Sequence, residues 1–252
     1  FTFRNEPTPD CYCGIKIPAW VASQMKLPAT LIVTPANIVE YELNLDRAAE
    51  RRFQEHFEVS LNNLFIGAED QLRVRTSWVL SNYLVISTRK VQPFGALEFM
   101  NILQKNAFGQ YGDLLKAVTR NAAMGFYLDN VQNNQRKLNE NYGRELMQLF
   151  SVGLVQLNLD GTTKKSASGK ILETYTQKDV IEITRALTGW TFAPSEVKLL
   201  SQAAGNYDKP MVEWPGDHDI GSKTILGKTI PAGQDAQKDL DSLIEILVTH
   251  PN

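Results

Sequence analysis

The stretch that decides the fold is a helix with a polar head in the middle of the chain. It reads Asn139-Glu140-Asn141-Tyr142-Gly143-Arg144-Glu145-Leu146-Met147-Gln148-Leu149-Phe150. On a period of 3.6 residues its apolar side chains fall on one arc, which predicts a side that faces the core. The polar residues form two neighbouring ridges on the other side, namely Glu140, Arg144 and Gln148 on one and Asn141 and Glu145 on the next. Such a density of polar groups beside an apolar stripe indicates a buried network or a site.

The two ridges allow three interpretations. Glu140 and Arg144 stand four residues apart in the order that favours an ion pair, which is typical of a solvated helix face. In a buried network, one of the glutamates would neutralise an arginine from elsewhere in the fold. In a ligand, metal or catalytic site, Glu140 and Glu145 would act as acid and base or chelate a hard cation. Gly143, at the margin of the apolar arc, would let another helix approach closely.

A second informative helix is predicted from about 69 to 87, because its apolar side chains fall on every side. This pattern predicts a central, buried helix. Arg73 and Arg75 lie near its start, and buried guanidinium groups need carboxylates or carbonyls, since an unpaired buried charge is strongly unfavourable. We therefore expect Glu145 and Asp129 to neutralise them.

The remaining segments predict an all-α fold, a multi-helix single domain with a small β-hairpin insertion and an irregular C-terminal loop region. Residues 1–42 are expected to be an irregular lead-in with one short strand or helix, and 43–252 the helical domain, cut at its C-terminus. The hairpin falls near 155–175 and the irregular region near 191–235. Further helices are predicted at 45–65, 93–104, 113–128, 177–189 and 236–249.

Composition excludes several classes of protein. Of the 252 residues, 43% are hydrophobic and 21% are charged, which is typical of a globular chain. The net charge of -2, with no run of Lys or Arg, argues against nucleic-acid binding. No segment approaches 18 consecutive apolar residues, so no transmembrane segment is predicted. Nucleophile-elbow, phosphate-loop and zincin patterns are missing. Whether the chain is an enzyme, and which cofactor or metal it would use, stays open.

A second polar constellation is Asp217-His218-Asp219, which is bounded by Gly216 and Gly221. A neutral imidazole beside carboxylates suits zinc or another divalent ion. Adjacent residues in a turn rarely all face one ion, however. We therefore favour a turn whose Asp side chains bond the local backbone.

The chain has two cysteines, Cys11 and Cys13. A single intervening residue is too short for a comfortable disulfide between them. Free thiols, pairing with cysteines elsewhere, and a shared metal site all remain open.

The chain resembles the bacterial family known as domain of unknown function 1800. The blocks that carry the resemblance occur in family order across about 45–252. They are Leu72-Arg73-Val74-Arg75, Phe108-Gly109, Tyr127-Leu128-Asp129-Asn130, Asn139-Glu140-Asn141-Tyr142-Gly143-Arg144-Glu145-Leu146, Tyr175-Thr176-Gln177-Lys178-Asp179-Val180, Arg185-Ala186-Leu187-Thr188-Gly189-Trp190, His218-Asp219 and Leu226-Gly227.

This resemblance implies a mostly helical protein that is exported, to the periplasm or the extracellular space. It also implies a sulfatase-like partner protein encoded nearby, and no established activity. Because the polar blocks coincide with the family signature, we prefer a buried polar cluster to a solvated face. The expected members of this cluster are Arg73, Arg75, Asp129, Asn139, Glu140, Arg144 and Glu145.

These inferences define the expected site. Its candidate catalytic residues are Glu140 and Glu145. Its candidate ligand-binding residues are Arg73, Arg75, Asp129, Asn130, Asn139, Asn141, Arg144, His218 and Asp219. The leading hypothesis is an extracytoplasmic helical domain that binds a ligand or protein partner through the cluster. The alternatives are a hydrolase with paired carboxylates and a structural or assembly module. An open pocket with an unpaired, reachable carboxylate would distinguish a binder from a packing module.

Overall fold

The computed structural model of the chain describes residues 11–12, 15–32, 47–194 and 206–252. Its helices are α1 (Ile17–Lys26), α2 (Arg47–Gly67), α3 (Gln71–Tyr83), α4 (Pro93–Asn106), α5 (Tyr111–Arg120), α6 (Ala122–Tyr127), α7 (Asn141–Gln148), α8 (Gln177–Ala186) and α9 (Ala236–Val248). Three short antiparallel ladders pair β1 (Cys11–Tyr12) with β2 (Ile15–Lys16), β3 (Trp190–Thr191) with β4 (Val212–Glu213), and β5 (Lys223–Ile225) with β6 (Lys228–Ile230). The prediction of a mainly helical fold with a small β component is confirmed.

The central element is α4, which is buried along most of its length. It packs against α2, α3, α5 and α6. Pro93 begins the helix, where the missing N–H is not needed for an intrahelical bond. Gly95 allows the ring of Tyr207 to lie against the helix backbone, since a Cβ there would stand 2.9 Å from Tyr207 Cδ1. The core of the domain therefore forms around a helix of ordinary amphipathic sequence.

The prediction that the helix near 69–87 is central and buried is wrong. Only Val74 and Ser77 of α3 are buried, whereas Trp78 is 51% exposed and Val79 is 59% exposed. The helix lies at the periphery, between α1 and α4. Apolar residues around a helix show what it can bury, but the neighbouring helices decide which side is covered.

Side-chain caps explain where two of the helices begin. Thr176 and Asp179 form the capping box that begins α8. The segment predicted as one helix over 113–128 is two, because Asn121 interrupts it. The Asn121 side chain accepts a hydrogen bond from the Met124 N–H at 2.9 Å and begins α6.

The predicted hairpin near 155–175 is confirmed as a small extension of three arms joined by antiparallel bridges. The arms bond in a ring: the N–H of Gln156 donates to the Leu172 carbonyl, that of Leu172 to Lys164, and that of Lys164 to Gln156. The region expected to be irregular contains the β5–β6 hairpin. Its turn at Leu226-Gly227 has φ angles of 50° and 78°.

The N-terminal lead-in is docked rather than loose where the structure describes it. It contains α1, and the side chain of Asn101 on α4 makes hydrogen bonds of 2.7 and 2.9 Å to the backbone of Ile32. The expected boundary at 42/43, the first ten residues and the cysteine side chains lie outside the described residues. No helix in the described ranges combines the length and apolar character that crossing a bilayer requires.

Candidate functional site

The head of α7 forms a half-exposed polar patch with the start of α8. Arg144 Nη2 donates to Glu140 Oε2 at 2.8 Å and to Gln177 Oε1 at 3.2 Å. Gln177 Nε2 donates to both Glu140 oxygens, at 3.1 and 2.9 Å. The side chains of Arg144 and Glu140 are 41% and 34% exposed. The predicted ion pair is therefore confirmed, and a glutamine from the next helix joins it.

The close approach predicted at Gly143 is also confirmed. A Cβ on this residue would stand 2.9 Å from Thr184 Oγ1 and 3.1 Å from Ile183 Cγ2, both on α8. Two contacts thus hold α7 against α8: the close approach at Gly143 and the polar patch of Glu140, Arg144 and Gln177.

Glu145, one turn further along α7, differs from its neighbours. Its Oε2 is buried and accepts no hydrogen bond from the described residues, and the buried Tyr175 hydroxyl is also without a partner there. Burial raises the pKa of Tyr175; Arg144 opposes this effect and the negative charge of Glu145 adds to it. The patch therefore contains one carboxylate with unused hydrogen-bonding capacity.

Asp129 lies at the end of α6 in the left-handed region, with φ of 59°. Its Oδ1 accepts a hydrogen bond from Lys90 Nζ at 3.0 Å, and its Oδ2 accepts one from Asn141 Nδ2 at 3.1 Å. Two of the predicted ligand-binding residues, Asp129 and Asn141, are thereby brought together at the head of α7.

The segment 129–139, here the asparagine loop, connects α6 to α7 through amide side chains. Asn133 Oδ1 accepts from the Asn139 N–H at 2.9 Å, and Asn133 Nδ2 donates to the Asn139 carbonyl at 3.3 Å. Asn130 is fully buried, and its Nδ2 has no partner among the described residues. The loop is therefore shaped by its own side chains and retains one unused buried donor.

The asparagine loop is also fixed to a distant part of the chain. The N–H of Gln132 donates to the Trp190 carbonyl at 2.8 Å, and the N–H of Gly189 donates to the Asn133 carbonyl at 2.9 Å. Gly189 has φ of 82°, and a Cβ there would stand 2.6 Å from that of His218. Only glycine fits this position. The loop is consequently held rigidly against the segment that follows α8.

A cleft of about 390 Å³ opens on the asparagine loop. We name it the amide cleft after the side chains that line it. Polar and aromatic residues of its wall include Asp129, Asn133, Asn134, Asn139, Phe126 and Phe192. Its volume lies within the range of ordinary small-molecule sites. Asp129 and Asn139, both predicted from the sequence, line it directly. Asn130 follows Asp129 in the chain, and Asn141 lies two residues after Asn139.

Arg73 and Arg75 lie elsewhere, and the prediction that Glu145 or Asp129 neutralises them is wrong. Arg73 is 3.5 Å from Asp70, donates to the carbonyls of Leu27 and Gln104, and lies over the Phe108 ring. Arg75 is exposed and donates weakly to a backbone carbonyl at 3.4 Å. The physical requirement for a partner is met at Arg73 by Asp70, an acid three residues earlier in the chain.

His218 lies in a closed buried network with Lys223 and Asp239. His218 Nδ1 is 2.8 Å from the Thr188 carbonyl, and its Nε2 is 3.2 Å from Asp239 Oδ2 without good hydrogen-bond geometry. Lys223 Nζ is 2.5 Å from the same oxygen and also donates to the carbonyls of Asp219 and Gly221. The side chains of His218, Lys223 and Asp239 are at most 2% exposed.

Asp219 belongs to a second set of ion pairs, next to His218, Lys223 and Asp239. Arg185 donates two hydrogen bonds to the Asp219 carboxylate, from Nε at 2.7 Å and from Nη2 at 3.1 Å. Arg185 Nη1 donates to both oxygens of Glu182 at 3.0 Å. Burial would raise the pKa of Asp219, but hydrogen bonds from Arg185 and the Gly221 N–H outweigh it, so the pKa is lowered. We name these six residues the closed network: Glu182, Arg185, His218, Asp219, Lys223 and Asp239.

One of the two interpretations of the His218 region agrees with the contacts of Asp219. Asp219 Oδ1 accepts from the Gly221 N–H at 2.8 Å, as expected for a turn with Asp bonded to the local backbone. Within the described ranges, no three His, Cys, Asp or Glu side chains are grouped so as to hold a metal ion. The sequence analysis missed Asp239. Its signal was an acid on the apolar stripe of the last helix, three residues after Ala236 and four before Leu243.

A family model described as "Protein of unknown function (DUF1800)" matches residues 4–252. No curated protein and no solved structure matches the chain.

Proposed function

Because the chain belongs to the DUF1800 family, whose description names no activity, we propose a function from geometry: the domain binds a neutral ligand rich in hydroxyl or amide groups in the amide cleft. The observation that carries this proposal is the convergence of several amide side chains and two aromatic rings on one pre-formed cleft. Carboxamides offer both donors and acceptors without charge, so they suit ligands that do the same.

The charged residues of the cleft wall, Asp129 and Lys137, are opposite in sign, which suits a ligand without net charge. The carboxylate of Asp129, on the cleft wall, is already paired with Lys90 at 3.0 Å. It can therefore accept hydrogen bonds from hydroxyl or amide groups without requiring a cation. The rings of Phe126 and Phe192 provide the apolar surface that such a ligand needs for its carbon faces. A small neutral sugar or a peptide segment has this combination of surfaces.

A hydrolase remains the second candidate, favoured by one observation. Glu145 has a buried oxygen that accepts no hydrogen bond from the described residues, as a proton acceptor or donor would require. Glu140, in contrast, is held at both oxygens by Gln177 and at one by Arg144. A reaction that uses both acids would have to release this glutamate first, so binding is the better-supported function.

Side-chain amide signals in a ¹⁵N–¹H spectrum test the binding proposal. We expect titration with neutral oligosaccharides and blocked dipeptides to shift the signals of Asn133, Asn134 and Asn139. The signals of Asn82 and Asn252, which lie outside the cleft lining, serve as internal controls. Binding that leaves the three cleft amides unmoved, or none to any probe at millimolar concentration, would contradict the proposal.

The variant Asp129→Asn sharpens the test. Asparagine tolerates the left-handed backbone found here and keeps an acceptor for Asn141, so the fold is expected to survive. Loss of the carboxylate should lower the affinity for a hydroxyl-bearing ligand about tenfold. Asp160→Asn, at an exposed turn of the three-arm extension, is the matched control.

We further propose, from the family resemblance, that the protein is exported and that a sulfatase-like protein is its partner. Fractionation of cells expressing the full-length tagged protein tests the first point, with recovery only in the cytoplasm as the contrary result. Co-purification of the two tagged proteins tests the second.

A further inference from the structure

Arg120 differs from the other half-buried arginines because no described carboxylate forms an ion pair with it. Of the half-buried arginines in the described ranges, Arg73, Arg144 and Arg185 each lie within 4.0 Å of a carboxylate. No described acid lies at that distance from Arg120. Its Nε is buried without an acceptor, and its Nη2 makes a single long hydrogen bond of 3.4 Å, to the Met211 carbonyl. Within the described part of the chain, most of its five donors therefore have no acceptor.

The guanidinium is nevertheless held in place. Its carbon lies 5.5 Å from the centre of the Trp190 ring, a distance at which a cation is attracted to the aromatic face. Arg120 is the last residue of α5, so the helix fixes where the side chain begins. A planar fork that is positioned but lacks a carboxylate is pre-organised for an anion from outside the domain.

Arg120 opens into a cleft of about 440 Å³ between α4, α5 and the segment before β4. We name it the arginine cleft. Its wall includes Ile102, Asp113, Lys116, Ala117, Arg120 and Lys209. The wall thus combines three cationic side chains and two acids, Asp113 and Glu98, with apolar surface from Ile102 and Ala117.

The unpaired charge of this cleft is positive on the side of Arg120. Lys116 is neutralised by Asp241 at 2.7 Å, and Lys209 has no carboxylate partner among the described residues. Glu98, also on the wall, is paired with Lys105 at 3.7 Å. Asp113 stands seven residues before Arg120 on α5, about 10 Å along the helix axis. Asp113 therefore does not neutralise the guanidinium, and no other acid of the described ranges lies within 4.0 Å of it.

We propose that the arginine cleft binds an organic carboxylate with an apolar body. The carboxylate would accept two hydrogen bonds from the Arg120 fork, the geometry that guanidinium groups match best, with Lys209 as a second cation. The apolar body would lie against Ile102 and Ala117. The arginine cleft and the amide cleft share no lining residue. A test of carboxylate binding is therefore independent of the proposed function.

Titration of the whole protein with hexanoate or benzoate tests the site directly. We expect the Nε–H signal of Arg120 to shift saturably, because its proton has no acceptor before the ligand arrives. Arg120→Gln and Lys209→Gln should each weaken binding about tenfold, the usual scale for one charge-assisted contact. Lys209 is exposed, so its replacement leaves the fold intact. Arg136→Gln, an exposed arginine outside this cleft, should leave affinity unchanged.

Two further probes separate the alternatives. Hexanol has the same apolar body without the charge, and equal binding of hexanol and hexanoate would overturn the proposal. Inorganic phosphate offers charge without the apolar body, and tighter binding of phosphate than of either carboxylate would overturn it as well. So would the absence of any shift at Arg120 with millimolar carboxylate. In that case the arginine serves only to cover Trp190.

Discussion

Two regions of this molecule use the same residue types in opposite ways. The closed network is water-excluded at its centre, where His218, Lys223 and Asp239 are at most 2% exposed. The head of α7 has a similar density of charge, but the side chains of Glu140 and Arg144 are 34% and 41% exposed. The first region is therefore shielded from water, whereas the charges of the second are partly solvated.

The difference teaches that charge density in a sequence block does not identify a site. A buried ion costs several kcal/mol to desolvate, so it persists only when each charge has its counterpart. Near the surface this requirement relaxes, because water solvates half-exposed charges such as those of Glu140 and Arg144. Burial, rather than composition, therefore separates the two regions. Four substitutions test this contrast.

The largest effect is expected at the centre of the closed network. Asp239→Ala removes the carboxylate that faces the buried Lys223, and the uncompensated ammonium should cost about 3–5 kcal/mol of unfolding free energy. Asp241→Ala, on the same helix, breaks a pair whose side chains are 36% and 47% exposed and should cost less than about 1 kcal/mol. Urea unfolding of both variants measures the difference, and equal losses would refute the contrast.

Asp219 should make part of the stability pH-dependent. Its pKa is lowered in the folded protein, so the unfolded chain binds the proton more readily. The stabilisation is complete above the ordinary value of about 3.9 and is lost as pH falls through the lower folded value. Asp219→Asn should cost about 1.5–3 kcal/mol at neutral pH.

Urea midpoints recorded between neutral pH and the acid range measure this effect. The variant is expected to show a flatter acid dependence than the native protein, because it lacks the titrating group. Parallel curves for the two proteins would show that Asp219 is not responsible.

A smaller effect is expected where α7 meets α8. Gly143→Ala places a methyl group 2.9 Å from Thr184 Oγ1, and overpacking of this kind costs about 1–3 kcal/mol before the gain in helix propensity of about 1 kcal/mol. Gly67→Ala, at the end of α2, meets nothing within 4 Å and should be neutral or slightly stabilising. Thermal unfolding compares the two, and a neutral Gly143→Ala would show that the helices can separate.

The smallest effect on stability is expected at Glu145. Its buried oxygen accepts no hydrogen bond from the described residues, so Glu145→Gln should change the unfolding free energy by less than about 0.5 kcal/mol. Arg144→Gln, which breaks a half-exposed pair, should cost a similarly small amount. Calorimetry measures both. A large loss at Glu145 would assign it to packing and remove the basis for a hydrolase.

Local sequence signals account for much of the observed fold. The Thr176 capping box and the Glu140–Arg144 pair both follow from residues within a few positions of one another. Gly143 on the margin of an apolar arc indicated a close approach, although its partners on α8 are distant in the chain. The split at Asn121 is equally local, and its strong capping preference could have revealed it.

The arrangement of the candidate site was less accessible. Asp129, Asn139 and Asn141 were predicted together, since all lie within a short segment that folds on itself. Arg73 was assigned to the wrong acids, Glu145 and Asp129. A buried guanidinium requires an acidic partner, but this requirement does not identify which acid in the chain provides it. The Asp70 that meets Arg73 is three residues away.

By itself, the sequence determined which face of α7 carries charge and which residues cap α8, because these depend on short-range geometry. Only the tertiary structure decided that α4 rather than α3 is central, that Asp239 meets His218 and Lys223, and that Trp190 connects the asparagine loop to Arg120. Those outcomes depend on which segments pack together across the chain. Many apolar faces can satisfy the same hydrophobic requirement, and only the complete packing selects among them.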